Sequence, residues 1–258
     1  MNKQTIIMIH GFRGTHHGLQ LIAKHLKDFN IVIPDLPGFA KGDSLDSYDL
    51  DSYVEWLRGY LKDQKVSKPV LLGHSFGSII SAAYAAKYPA TIEKLILVNP
   101  IGAPALEGPK AIMTQLAVFY YWVGKKLPEN FAKKWLESHL IVMVMSVTMA
   151  KTKDKKLRAF IHDQHKQYFS LFHTAKSVSE SFNTSVSHNV RESAAMIPIE
   201  TLLIAGAEDD ITPVAKQKEL QKLFPQAQLK IIKEVGHLTH YETPDQVAGF
   251  VQDFIKLS

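Results

Sequence analysis

Short, continuous apolar runs alternate with stretches of helical periodicity over much of the chain. Thr5–Ile9, Ile31–Ile33, Pro69–Leu72, Lys94–Val98, Glu200–Ala205 and Gln228–Ile232 are rich in β-branched and other apolar residues. Most lack polar alternation, which predicts strands covered on both faces. Helical patterns lie between several of them: Gly18–Phe29, Ser52–Gln64, Gly77–Tyr88, Val214–Leu223 and Pro244–Ile255. Strand–helix alternation of this kind predicts an α/β fold, a mostly parallel sheet of about six strands flanked by helices.

The alternation breaks after Val98. From about Gly108 to Met196 no strand pattern occurs, and aromatic and basic helix-like segments fill the gap. Sheet-type sequence resumes at Ile199. The simplest organisation is one core built from residues 1–100 and 198–258, with a helical insertion, 101–197, after the strand ending near Val98. Within it, Tyr120, Tyr121, Trp122, Phe131, Trp135, Met143, Met145, Met149, Phe169 and Phe172 are candidates for a pocket wall, most of them expected to be plain core. The run from His139 to Ala150 is the least amphipathic part. It reads as a buried helix, with a surface that meets lipid or a partner subunit as the alternative.

Composition narrows the chemistry. The 258 residues contain no cysteine, which excludes disulfides, thiolate metal sites and a cysteine nucleophile. The apolar run behind the N-terminus is too short for a signal-peptide core, and none reaches the ~20 residues that span a bilayer. A soluble, cytoplasmic protein is expected. The net charge of +5 is uneven: residues 101–197 hold 13 Lys/Arg against 7 Asp/Glu. A solvated helical face is the plain reading of that excess, and a surface for anions or membrane headgroups the other. No basic–aromatic motif supports nucleic-acid binding.

The strongest local signal is Gly73-His74-Ser75-Phe76-Gly77, a G-x-S-x-G pattern between a predicted strand and a predicted helix. A serine on so sharp a turn needs small neighbours two residues either side, and the following helix N-terminus lends positive potential where an oxyanion forms. A serine hydroxyl also needs a base. Candidates follow two later strands, in Gly206-Ala207-Glu208-Asp209-Asp210 and Val235-Gly236-His237. Both lie where strand C-terminal ends gather a site in an open α/β sheet. His240, three residues from His237, suggests a metal pair, but no third ligand of matching context appears; no metal or cofactor is implied.

The chain resembles the α/β-hydrolase superfamily over nearly its whole length. The resemblance rests on His10-Gly11-Phe12-Arg13-Gly14, Pro34-Asp35-Leu36-Pro37-Gly38-Phe39, the serine elbow, Gly206-Ala207-Glu208-Asp209, and Gly236-His237 followed by Glu242-Thr243-Pro244. It implies Ser75 as nucleophile, His237 as general base and Asp209, rather than Glu208 or Asp210, as the acid orienting the base. It implies an oxyanion hole from the backbone N–H groups of Phe12 and Phe76, and a helical lid at the insertion. Where some relatives place the acid, this chain has Asn99, which cannot carry the charge that stabilises an imidazolium. Arg13 is expected either in a structural ion pair or on a substrate carboxylate. His10, His74 and Asp35 are expected to support loop packing.

The function so implied is hydrolysis of a small-molecule carboxylic ester of small or medium acyl chain. The alternatives are C–C, amide or thioester hydrolysis on the same triad, and a non-catalytic ligand-binding module on the same fold.

Overall fold

The computed structural model of the protein describes residues 3–104 and 111–256. In chain order the elements are β1 (Thr5–Ile9), α1 (His16–Ala23), β2 (Asn30–Val32), α2 (Leu50–Asp63), β3 (Val70–His74), α3 (Phe76–Lys87), β4 (Leu95–Val98), α4 (Ala111–Lys126), α5 (Glu129–Leu136), α6 (His139–Met149), α7 (Lys155–Tyr168), α8 (Ala175–Ser187), α9 (Arg191–Ala194), β5 (Thr201–Gly206), α10 (Val214–Gln221), β6 (Ala227–Ile232), α11 (Thr239–Glu242) and α12 (Pro244–Lys256). The strands form one sheet in the order β2-β1-β3-β4-β5-β6, and every neighbouring pair is parallel.

The apolar runs alternate their side chains between the two faces, as pleating requires. Ile7, Ile9, Leu71, Leu95, Leu97 and Leu203 pack on one side with Tyr53 and Leu57 of α2 and Ile79 and Ile80 of α3. Ile6, Met8, Val70, Leu72, Ile96, Val98, Leu202 and Ile204 pack on the other with Leu19 and Ile22 of α1 and Val247 and Val251 of α12. Covering both faces explains why the strand sequences show so little alternation.

Chain direction across the sheet reverses between β1 and β3: β2 lies on one side of β1 and β3 on the other. The loops leaving these two strands diverge there and open a crevice at the strand C-terminal ends, the place where an open α/β sheet builds its site.

Boundaries depart from the sequence expectation in α1. The helix begins earlier, because Thr15 caps it through the His17 N–H (3.3 Å), and ends at Ala23 instead of running to Phe29. Successive tight turns then carry the chain to β2 while keeping Leu26 buried.

Every described element between β4 and β5 is a helix. This stretch is pinned to the core by an isolated bridge between Phe39 and Phe172, with Ala40 N–H donating to Leu171 O (2.6 Å) and His173 N–H to Gly38 O (2.9 Å). Helix α8 buries a polar face: Ser181 Oγ meets Tyr53 Oη at 2.7 Å, and Thr184 Oγ1 donates to Tyr48 O at 2.7 Å. Of the aromatic and methionine residues expected here as wall or core, Tyr121, Phe169 and Phe172 are buried, whereas Trp122, Phe131, Trp135 and Met143 face outward.

Candidate active site

Ser75 sits between the last residue of β3 and the first of α3, with φ 52° and ψ −117°. A side chain in that region costs about 1–3 kcal/mol and persists only where neighbours over-determine it. Here they do. Ser75 N–H donates to Val98 O (3.1 Å), and both the N–H and the hydroxyl of Ser78 donate to Ser75 O, at 2.8 and 2.5 Å. The flanking glycines are sterically required. A Cβ on Gly73 would lie 2.4 Å from Gly77 O, and one on Gly77 would lie 2.3 Å from Ile9 O.

Two loops bring partners to this hydroxyl. His237, after β6, places Nε2 2.8 Å from Ser75 Oγ, in position to take the hydroxyl proton. The other ring nitrogen donates to Asp209 Oδ2, also at 2.8 Å, which fixes the tautomer. Asp209 is buried in the turn after β5. Its Oδ1 accepts from the N–H groups of Ile211 (2.8 Å) and Thr212 (2.9 Å), and its Oδ2 accepts additionally from Thr212 Oγ1 and from Asn99 Nδ2 (2.8 Å). Burial pushes the carboxyl pKa up, but the His237 imidazole and the hydrogen bonds from His237 and Thr212 outweigh it. They hold the carboxyl well below the usual range, so it is ionised. Asp210 faces outward and pairs with Lys151 instead.

Asn99 has a part that sequence reasoning missed. It stands after β4 at φ 46°, fully buried. While Nδ2 supports Asp209, Oδ1 accepts from Thr239 Oγ1 (2.5 Å), so the amide bridges the acid turn to α11 behind His237. Its place at the end of a core strand, one position from Pro100, was the available signal.

Phe76 is the first residue of α3, so its N–H has no partner a turn earlier in that helix. Phe12 follows β1 in a turn closed by Gly14 N–H donating to Gly11 O (3.0 Å). Its ring packs edge-on against Phe39, Phe76 and Tyr121 and contacts Phe182, with centroids 5.7 to 6.4 Å away. Phe182, from α8, lies stacked on Tyr121 at 4.0 Å and was not singled out in the sequence.

Arg13 meets neither expectation held for it. It is only 1 % exposed and adopts φ 57°, a strained backbone for arginine. Its guanidinium donates to Phe169 O (2.7 Å), Leu136 O (2.7 Å) and Tyr121 Oη (3.1 Å), over the Phe172 ring. No carboxylate pairs with it among the described residues. The cation is held by the negative C-terminal ends of α5 and α7, a dipole interaction strengthened by burial. One side chain next to Phe12 therefore clasps three helices of the insertion.

Asp35 accepts from the N–H groups of His16 (2.7 Å) and Lys41 (3.3 Å) and meets His16 Nδ1. His10 Nε2 accepts from Leu36 N–H (2.8 Å). Both thus hold the loop behind Phe12. His74 packs against His240 with the rings tilted and their centroids 4.1 Å apart, and its Nε2–H donates to His237 O (3.4 Å). No group of three or more His, Asp or Glu side chains is arranged to hold a metal ion among the described residues.

Four buried histidines, His10, His74, His165 and His240, are kept neutral. Burial is the leading cause for each, reinforced at His74 by the neighbouring His237, and His74 and His165 drop to about 3. In the unfolded chain they protonate near 6.5. A folded pKa below the unfolded one means stability that is complete above that value and lost as pH falls through it, by about 1.4 kcal/mol per pH unit per histidine. The melting temperature should therefore decline steadily from about pH 7 to about pH 5. A flat profile over that window would contradict neutral burial of these rings.

Residues 4–244 match the alpha/beta hydrolase fold family. Lipase 1 of Psychrobacter immobilis is 28% identical over 97% of this chain and 76% of its own length. The monoacylglycerol lipase ABHD6 of Homo sapiens is 25% identical over 98% of the chain and 76% of its own. Among solved structures, a thermophilic esterase from Thermogutta terrifontis superposes with a TM-score of 0.82 at 19% identity, covering 99% of this chain and 90% of that one. By its matched span, its sheet and its elbow, the chain belongs to the α/β-hydrolase fold family and is a hydrolase.

Proposed function

We propose that the protein hydrolyses carboxylic esters of small or medium acyl chain through an acyl-enzyme on Ser75. The observation that carries this reading is the unbroken relay Ser75 Oγ–His237 Nε2 and His237 Nδ1–Asp209 Oδ2, each step 2.8 Å. His237 takes the hydroxyl proton as Ser75 Oγ adds to the ester carbonyl, and ionised Asp209 stabilises the imidazolium that forms. The Phe12 and Phe76 N–H groups receive the oxyanion. His237 returns its proton to the departing alkoxide, and a water molecule activated by the same imidazole releases the acid and restores Ser75. The lipase names of the relatives support an ester over other acyl bonds. The serine at the elbow disfavours the aspartate chemistry of halide- and epoxide-opening relatives.

The segment 101–197 is the lid in this reading, and Phe12, Tyr121 and Phe182 form the acyl-facing wall beside the oxyanion site. Tyr121→Ala and Phe182→Ala should shift the preferred acyl chain of p-nitrophenyl esters toward longer chains. Trp122→Ala should leave the profile unchanged, since Trp122 faces outward. A shift with Trp122→Ala alone would move the wall to the outer side of α4.

Labelling with a fluorophosphonate, followed by a panel of ester, thioester, amide and ring-cleavage substrates, tests the whole reading. Labelling confined to Ser75 with esters turned over fastest is the expected result. Labelling with faster amide, thioester or C–C cleavage would change the bond class, and no labelling would leave a binding module.

A further inference from the structure

We propose that the outer face of α6, with the lysines beside it, docks on an anionic lipid bilayer. The helix is inverted relative to an ordinary surface helix. Its inward side presents Val142 and the hydroxyl of Ser146, which meets His162 Nδ1 at 2.6 Å and His165 Nδ1 at 2.7 Å, both on α7. Its outward side presents Leu140, Met143, Val144 and Val147, spaced i, i+3, i+4, i+7 and exposed by 44 to 71 %. Water-facing helices place polar residues outside and the apolar stripe inside; here the polar group is inside. Phe131 on α5 and Trp122 on α4 are also large, apolar and outward-facing.

At 11 residues, α6 is far too short to span a bilayer, so the geometry is that of a helix lying in the interface. No described helix is long and apolar enough to cross a membrane.

Charge selects the occupant. From Lys125 to Arg158 the chain carries nine Lys/Arg against three Asp/Glu. Lys153, Lys155 and Lys156 follow α6 directly, are exposed, and make no ion pair among the described residues. Lys155 and Lys156 stand in the first turn of α7, where the helix dipole disfavours cations; the acid at that end is the N-cap Asp154, whose Oδ1 accepts from the Lys156 and Leu157 N–H groups. They bring α7 no local stabilisation and suit an external anionic surface. A second copy of this chain would set like charges against each other across a two-fold contact. Anionic headgroups match the lysines, and the acyl boundary matches the four apolar side chains.

The inference does not rest on the ester reading, and its test uses the full chain with Ser75→Ala so that vesicles stay intact. Phosphatidylcholine vesicles containing phosphatidylglycerol should bind at least about tenfold more protein than pure phosphatidylcholine, with the difference shrinking at high salt. The triple change Leu140→Ser, Met143→Ser, Val147→Ser should lose about tenfold in vesicle binding. In the Ser75 background it should keep the circular dichroism and the turnover of a soluble short-chain ester. Lys153→Gln, Lys155→Gln and Lys156→Gln together should weaken binding by roughly fivefold per lysine. Equal binding to both vesicle types, or undiminished binding by the triple variant, would overturn the proposal. So would a monomer–dimer equilibrium in sedimentation that the triple variant abolishes, which would assign the face to a second copy.

Discussion

Replacing Ser75 with alanine should cut the turnover of short p-nitrophenyl esters by at least about 10⁴-fold, with no loss of folded protein. The hydroxyl is the group poised 2.8 Å from His237 Nε2, and the elbow's strained backbone is held by Ser78 and Val98 rather than by the Ser75 side chain. Losing Oγ therefore removes the proposed nucleophile without loosening the turn. What survives is the contribution of the oxyanion donors and substrate binding. Unchanged rates in a preparation free of contaminating esterase would take Ser75 out of the mechanism. The thermal melt supplies the control, since a fall in melting temperature would mean that the side chain also braces the turn.

The second large effect should separate two adjacent aspartates. Asp209→Asn should lower kcat by about 10⁴-fold, because the amide favours the wrong imidazole tautomer and removes the charge that stabilises imidazolium. It should also destabilise the fold by roughly 1–3 kcal/mol. Oδ1 accepts from two N–H groups and Oδ2 from Asn99, Thr212 and His237, so either orientation of an amide turns an NH₂ toward existing donors. Asp210→Asn weakens a surface ion pair to Lys151, worth up to about 1 kcal/mol, and should leave kcat within about threefold. The opposite ranking would move the acid one position along the chain.

Much of this architecture was legible from local pattern. Two-sided burial of β1, β3, β4 and β5, and partial burial of the edge strands β2 and β6, left apolar runs that mark all six strands to within two residues. The elbow could be recognised because its glycines are demanded by backbone atoms closer than 2.5 Å to any added Cβ, a constraint that leaves a spacing in the sequence. Side chains that act through long-range partners left no such trace. Asn99 looked disqualified by its lack of charge, yet its amide is what a buried carboxylate needs as a donor. Arg13 looked like half of an ion pair, because helix C-termini that converge from 123 and 156 residues away cannot be seen in a linear pattern. Aromatic content in the insertion showed that something apolar was there, but not which way it faced. Phe182 turned inward onto Tyr121 while Trp122, on the same helix as Tyr121, turned out. The end of α1 was misplaced because Leu26 keeps its apolar burial in a turn as well as it would in a helix.

The guanidinium of Arg13 also bears on how this enzyme can be rebuilt. Grafting an insertion from a relative that lacks matching acceptors would leave a buried cation unpaired, at a cost of about 3–5 kcal/mol. The segment carrying Phe12 would then relax to rehydrate it. A chimera that transplants such a cap thus has to bring carbonyls equivalent to those of Leu136 and Phe169, or replace the arginine in the same step. Modularity in this scaffold ends at that residue: the helices between β4 and β5 and the loop after β1 are one inheritable unit.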